Sequence, residues 1–104
     1  NAPYSKIEAD LRAVSCTFSP SDDAMEIDVQ LSLPPTGGQE IVMLEYSREG
    51  HWVSMQLPKR NGRMLSAKGF LHSDTGRPIG VQHADVNITV IGSNYAVEAG
   101  TCAP

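Results

Sequence analysis

The sequence predicts an all-β domain built as two stacked sheets, and three observations carry that expectation. Apolar and polar residues alternate with a period of two in one segment after another, which is the pattern of half-buried strands. The segments are short and are separated by Gly, Pro, Asn and Asp, residues that turns select for their backbone geometry. No stretch carries a helical period: Ser5 to Ala13, the one run of helix-forming composition, also alternates every second residue. About seven or eight mostly antiparallel strands in a chain of 104 residues point to an immunoglobulin-like two-sheet β-sandwich with Greek-key connections rather than a barrel.

Each element follows from its local pattern. Ile7, Ala9, Leu11 and Ala13 share one face, whereas Val14, Cys16 and Phe18 share the other. The phase slips by one residue, so a β-bulge is expected near Ala13-Val14. Met25 to Leu33 is the clearest strand, with Met25, Ile27, Val29, Leu31 and Leu33 facing inward. Ile41 to Tyr46 is apolar on both faces over four positions, which predicts a central strand covered from both sides. Ser47-Arg48-Glu49-Gly50 reads as a hairpin loop in which Gly50 supplies a positive φ. Val53, Met55 and Leu57 alternate until Pro58, which has no N–H to continue the ladder. Asn61-Gly62 predicts a type I′ hairpin turn, with Met64 to His72 as the return strand. His72 to Asp85 reads as a long crossover with room for a short edge strand at Ile79 and Val81. Val86, Ile88 and Val90 then alternate, Gly92-Ser93-Asn94 turns the chain, and Tyr95, Val97 and Ala99 lead to Cys102.

The length leaves room for one domain, residues 1–104, with residues 1–5 expected outside the fold as a disordered start or a tag remnant. Hydrophobic residues at 40% and charged residues at 19% suit a chain that buries a core and exclude the disordered class. The net charge is −4 and the three Lys and five Arg are scattered, which argues against nucleic acid and against anionic lipid as partners. The longest apolar runs, such as Ile41 to Leu44, fall far short of the roughly 18 residues a membrane helix needs. No signal-peptide pattern opens the sequence, so any secretory leader is expected to have been removed.

The two cysteines, Cys16 and Cys102, are too few for a structural zinc site, which takes four ligands. A disulfide tying the first strand to the last is the expected reading, and with it an extracytoplasmic, periplasmic or secreted setting. Closing a ring of about 87 residues is worth on the order of 4.5 kcal/mol as an upper figure. A cysteine on the last strand, and Trp52 away from the usual early position, set the chain apart from antibody domains.

Candidate chemistry is sparse. His72 with Asp74, and His83 with Asp85, share a face two residues apart, a geometry in which a carboxylate orients a base or a ligand; surface histidines beside a loop are the expected explanation. The histidines with Met25, Met43, Met55 and Met64 offer copper-type ligands, but methionines at inward positions are expected to fill the core. Pro20-Ser21-Asp22-Asp23 supplies too few oxygens for a calcium loop. Asn87-Ile88-Thr89 is a glycosylation sequon, expected by chance in a strand. A lone Trp52 is expected in the core, the other reading being an outward patch with Tyr46.

With no activated nucleophile or carboxylate pair in view, the expectation is a non-catalytic module, without metal or cofactor, that binds another protein in a chaperone-like or inhibitor-like manner. The residues expected at its binding surface are Arg48, His51 and Trp52 at one hairpin, and Lys59, Arg60 and Arg63 around the Asn61-Gly62 turn, the one local cluster of positive charge. A small-molecule or copper carrier and a structural subunit of a surface assembly are the rival expectations. Reversing Arg60 and Arg63 to Glu is expected to slow association and leave thermal stability unchanged.

Overall fold

A computed structural model describes residues 10–21, 24–75 and 85–103. The described chain is all-β: β1 Arg12–Ser21, β2 Ala24–Ser32, β3 Ile41–Glu45, β4 His51–Met55, β5 Lys59–Asn61, β6 Met64–Ser73, β7 Val86–Ile91 and β8 Ala96–Cys102. One sheet has the order β1-β2-β6-β4 with β5 also on β6, the other the order β3-β7-β8. Every described pairing is antiparallel.

The period-two pattern places the core between the sheets. Met25, Ile27, Val29 and Leu31 from β2, and Leu65, Ala67 and Leu71 from β6, are buried against Val42, Leu44, Val86, Ile88, Val90 and Val97 of the opposite sheet. Each fully buried Leu, Ile or Met contributes roughly 1.5–3 kcal/mol over leaving it in water. The expected phase slip in β1 is present, with the register against β2 shifting between Ala13 and Ser15. Beyond it Cys16 and Phe18 pack against the core. Asp10 and Leu11 lie ahead of β1, while Ile7 and Ala9 fall outside the described residues.

The sandwich is closed on both sides by covalent chain. Cys16 and Cys102 form the expected disulfide, Cα to Cα 6.0 Å, and it joins β1 to β8, the outer strands of the two sheets on one side. On the other side residues 46–50 carry the chain from β3 across to β4, which lies in the other sheet. Ser47-Arg48-Glu49-Gly50 is therefore an inter-sheet connection and not a hairpin, although Gly50 has the expected positive φ of 75°.

Two further expectations change. β3 is an outer strand, not a central one: Val42 and Leu44 point into the core, whereas Ile41 and Met43 point out and are exposed. A continuous apolar run suggests cover on both faces only when something packs on the second face, and among the described residues nothing does. The two-residue turn also sits one residue later than predicted. Asn61 pairs with Met64, leaving Gly62-Arg63 as the loop. Gly62 has φ 60° and among the described residues, Arg63 included, no non-glycine has positive φ, which is the type II′ signature with Gly first rather than the type I′ one.

β4 and β5 are two pieces of one outer strand on β6. Gln56 N–H still donates to Lys68 O at 3.0 Å, but three residues lie between Met55 and Lys59 where two lie between their partners Gly69 and Ser66. The extra residue bulges the strand at 56–58 and turns Leu57 outward, 75% exposed. The short strand expected at Ile79 and Val81 falls outside the described residues, as do His83 and the Asp22-Asp23 pair.

Candidate binding surface

Strand alternation decides which side chains each sheet presents. On β4, Val53 and Met55 pack inward, so Trp52 and Ser54 face out. Trp52 is paired in register with His72 on β6. Its indole stacks on that imidazole with ring centroids 4.0 Å apart and planes 15° off parallel, and His72 Nε2 shares a 3.0 Å hydrogen bond with Ser54 Oγ. Trp52 is still 52% exposed, so it is the outward aromatic and not the core residue a lone Trp suggests. Asp74 does not act as its partner residue: it lies in the turn after β6, where its N–H donates to Gly50 O at 2.7 Å.

His51 opens β4 beside Trp52 and pairs with Ser73 of β6. Its Nδ1 lies 2.9 Å from the Glu49 carbonyl, an acceptor, so Nδ1 carries the proton and donates. Tyr46 meets the same ring edge-on at 5.3 Å. Arg48 is exposed and lines a polar hollow of about 240 Å³ with Glu45, Tyr46, Ser47, Asp85 and Asn87. Asn87, the sequon residue, is exposed on β7 and accepts a 2.9 Å hydrogen bond from Thr101.

The basic cluster is divided. Lys59 and Arg63 are exposed on the β5–β6 hairpin. Arg60 turns inward: its guanidinium lies 2.8 Å from the Glu40 carboxylate and donates to Leu33 O at 2.6 Å and Gly62 O at 3.0 Å. Glu40 is buried, 4% exposed, and accepts a second bond from Thr36 Oγ1 at 2.7 Å. Burial pushes this carboxyl up, but the bonds from Thr36 and Arg60 and the guanidinium charge outweigh it and hold the group below the usual carboxylate range. Sequence patterning does not single out Glu40, because a glutamate just ahead of an apolar run reads as an exposed strand end.

The methionines do not gather. Met25 is in the core and Met55 packs against it, as expected of inward positions, whereas Met43 is exposed on β3 and Met64 lies on the outward side of β6. Among the described residues no three His, Cys, Asp or Glu side chains come together as a metal-ligating group.

The feature sequence reasoning missed is apolar. Ile41, 47% exposed, and Met43, 41% exposed, project from β3, and Ile41 shares its row with Ile91 and Ala96. Leu57 and Ile41 line a hollow of about 310 Å³ with Gln39, Ile91, Gly92 and Ser93. On its other side Leu57 lines a second hollow of about 190 Å³ with Asp28, Gln56, Lys59, Ser66 and Lys68. Comparison with protein-family models, with curated proteins and with solved structures finds no match for the chain.

Proposed function

We propose that this is an extracytoplasmic, non-catalytic immunoglobulin-like module that holds another protein. The observation that carries the reading is the set of large apolar side chains left in solvent on the neighbouring edge strands of the two sheets: Ile41 and Met43 on β3, Trp52 on β4 and Leu57 at the break after it, with Leu57 and Ile41 lining one hollow. Exposed apolar residues that come together, as Ile41 and Leu57 do, mark interaction sites more often than isolated ones do. Aromatic and aliphatic anchors of this kind supply most of the affinity at protein interfaces.

The strand order supports the immunoglobulin-like part of the reading. With β4 and β5 taken as one interrupted strand, the first, second, fifth and fourth strands form one sheet and the third, sixth and seventh the other, the order of constant-type domains. The cystine, which joins the first and last strands, differs from the inter-sheet bridge of antibodies. A disulfide between chain ends favours an oxidising compartment.

The test places a photo-crosslinking amino acid at Leu57 and exposes the protein to the native extracytoplasmic fluid. A single adduct, competed by unlabelled protein but not by a Trp52→Ser, Ile41→Asp double variant, supports the reading. No adduct, or one that this variant competes equally well, overturns it.

A further inference from the structure

We propose that the outer edge of β3 accepts an extended segment of the partner as one more antiparallel strand, and that this segment reads cation, any residue, apolar, any residue, apolar from its N-terminus. The inference rests on the protein-binding reading and names the mode and the partner's chemistry.

Among the described residues four strands bound the two sheets, and three of them carry devices that discourage pairing with a further strand. β1 has the register shift between Ala13 and Ser15 and includes Pro20. The β4–β5 edge is interrupted at 56–58, with Pro58 inside the break. β8 is bulged between the partners of Ile88 and Thr89 and is tied to β1 through Cys102. Bulges and prolines of this sort are how sheets protect their edges. β3 has none: its five residues, Ile-Val-Met-Leu-Glu, pair with β7 in unbroken register, and among the described residues no strand pairs with its other side. An uninterrupted edge with apolar outward residues is a template for strand addition.

The side chains on that face specify the occupant. β3 presents Ile41, Met43 and Glu45; β7 presents Thr89, Ile91 and Asn87; β8 presents Ala96 and Glu98. These strands carry two outward carboxylates and no outward Lys or Arg. In an antiparallel added strand, the residues facing Glu45, Met43 and Ile41 come in that order from its N-terminus, hence cation, apolar, apolar at alternate positions. A second copy of the chain fits less well. Antiparallel pairing of two β3 strands about Met43 sets each Glu45 against the Ile41 of the other copy, and each copy brings a net charge of −4.

The test uses a labelled peptide with the core Lys-Thr-Val-Thr-Ile and its reversed-order counterpart, titrated onto the whole oxidised protein, with amide exchange followed by NMR. The forward peptide is expected to bind at least about tenfold more tightly than the reversed one and to slow exchange within Ile41–Glu45. Met43→Lys and Glu45→Lys are expected to weaken it about tenfold, with unchanged melting because both sites are exposed. Equal binding of the two peptides, or protection confined to other strands, overturns the proposal. So does a concentration-dependent dimer abolished by Met43→Lys, which gives the edge to a second copy. If the Leu57 adduct forms undiminished in the Met43→Lys protein, strand addition at β3 fails while the wider binding reading stands.

Discussion

Arg60 and Glu40 form an ion pair, 2.8 Å between guanidinium nitrogen and carboxylate oxygen, beneath the β5–β6 hairpin. The same guanidinium holds the carbonyls of Leu33 and Gly62, so one side chain joins the end of β2, the hairpin and the segment that enters β3. The Glu40 carboxylate is the more deeply buried partner, and without Arg60 it would keep the bonds from Thr36 and from its own backbone N–H but no opposite charge. Removing one partner of a buried pair costs more than the pair contributes, because the other charge stays behind.

Arg60→Ala is therefore expected to lower stability by about 2 kcal/mol, below the range for fully buried pairs because Arg60 is partly open to water. Reversing Arg60 to Glu costs more, so a charge reversal there does not leave the melting curve alone. Charge steering belongs to Lys59 and Arg63: reversing those two is expected to slow association at low salt and leave denaturant midpoints unchanged. An unchanged on-rate for that pair removes them from the binding surface.

The same pair sets an acid limit. The Glu40 pKa is lowered on folding from the usual 4.5, so the fold binds fewer protons there than the unfolded chain. Its stabilisation is fully present above that usual value and is lost as pH falls through the lower folded one. Urea midpoints measured from pH 6 down to pH 2 are expected to fall below about pH 4.5, and Glu40→Gln is expected to flatten that slope while lowering stability at neutral pH. An unaltered slope in the variant excludes Glu40 as its source.

Tyr95 sets a matching alkaline limit. Its hydroxyl is buried with no hydrogen bond of good geometry. Burial pushes its pKa above 10.0, which the nearby Thr36 offsets only in part. The neutral form is favoured by folding, so stability is expected to fall as pH rises above that value. Tyr95→Phe removes this loss and costs under about 1 kcal/mol at neutral pH, since an unsatisfied buried hydroxyl goes with it. Gly92→Ala behaves oppositely: a Cβ there would overlap the Tyr95 ring, and a loss of roughly 1–3 kcal/mol is expected in chemical denaturation.

What the sequence made legible is what alternation reports directly. Met25 to Leu33 face inward because each second residue is apolar, and the slip at Ala13-Val14 shows because a bulge shifts that phase. The cystine was legible because two cysteines allow one pairing. The role of β3 was not, because an apolar run has the same composition whether its second face is covered or left for a partner. Arg60 was misread for a related reason: charge counting along the chain does not register Glu40, twenty positions away and adjacent only in the fold.

Trp52 offers the sharpest separation of stability from binding. It is the one tryptophan, it is half-exposed, and one face of its ring rests on His72. Its fluorescence is expected to be that of a solvated indole, open to iodide quenching in the free protein and shielded when a partner is bound. Trp52→Ser removes no buried contact beyond the stack, so unfolding should shift by no more than about 1 kcal/mol. Loss of a central aromatic anchor costs about 2 kcal/mol or more in affinity, so partner binding should weaken by over tenfold. If binding is instead unaffected and iodide quenching is the same with and without partner, Trp52 lies outside the contact and the anchor must be sought among Ile41, Met43 and Leu57.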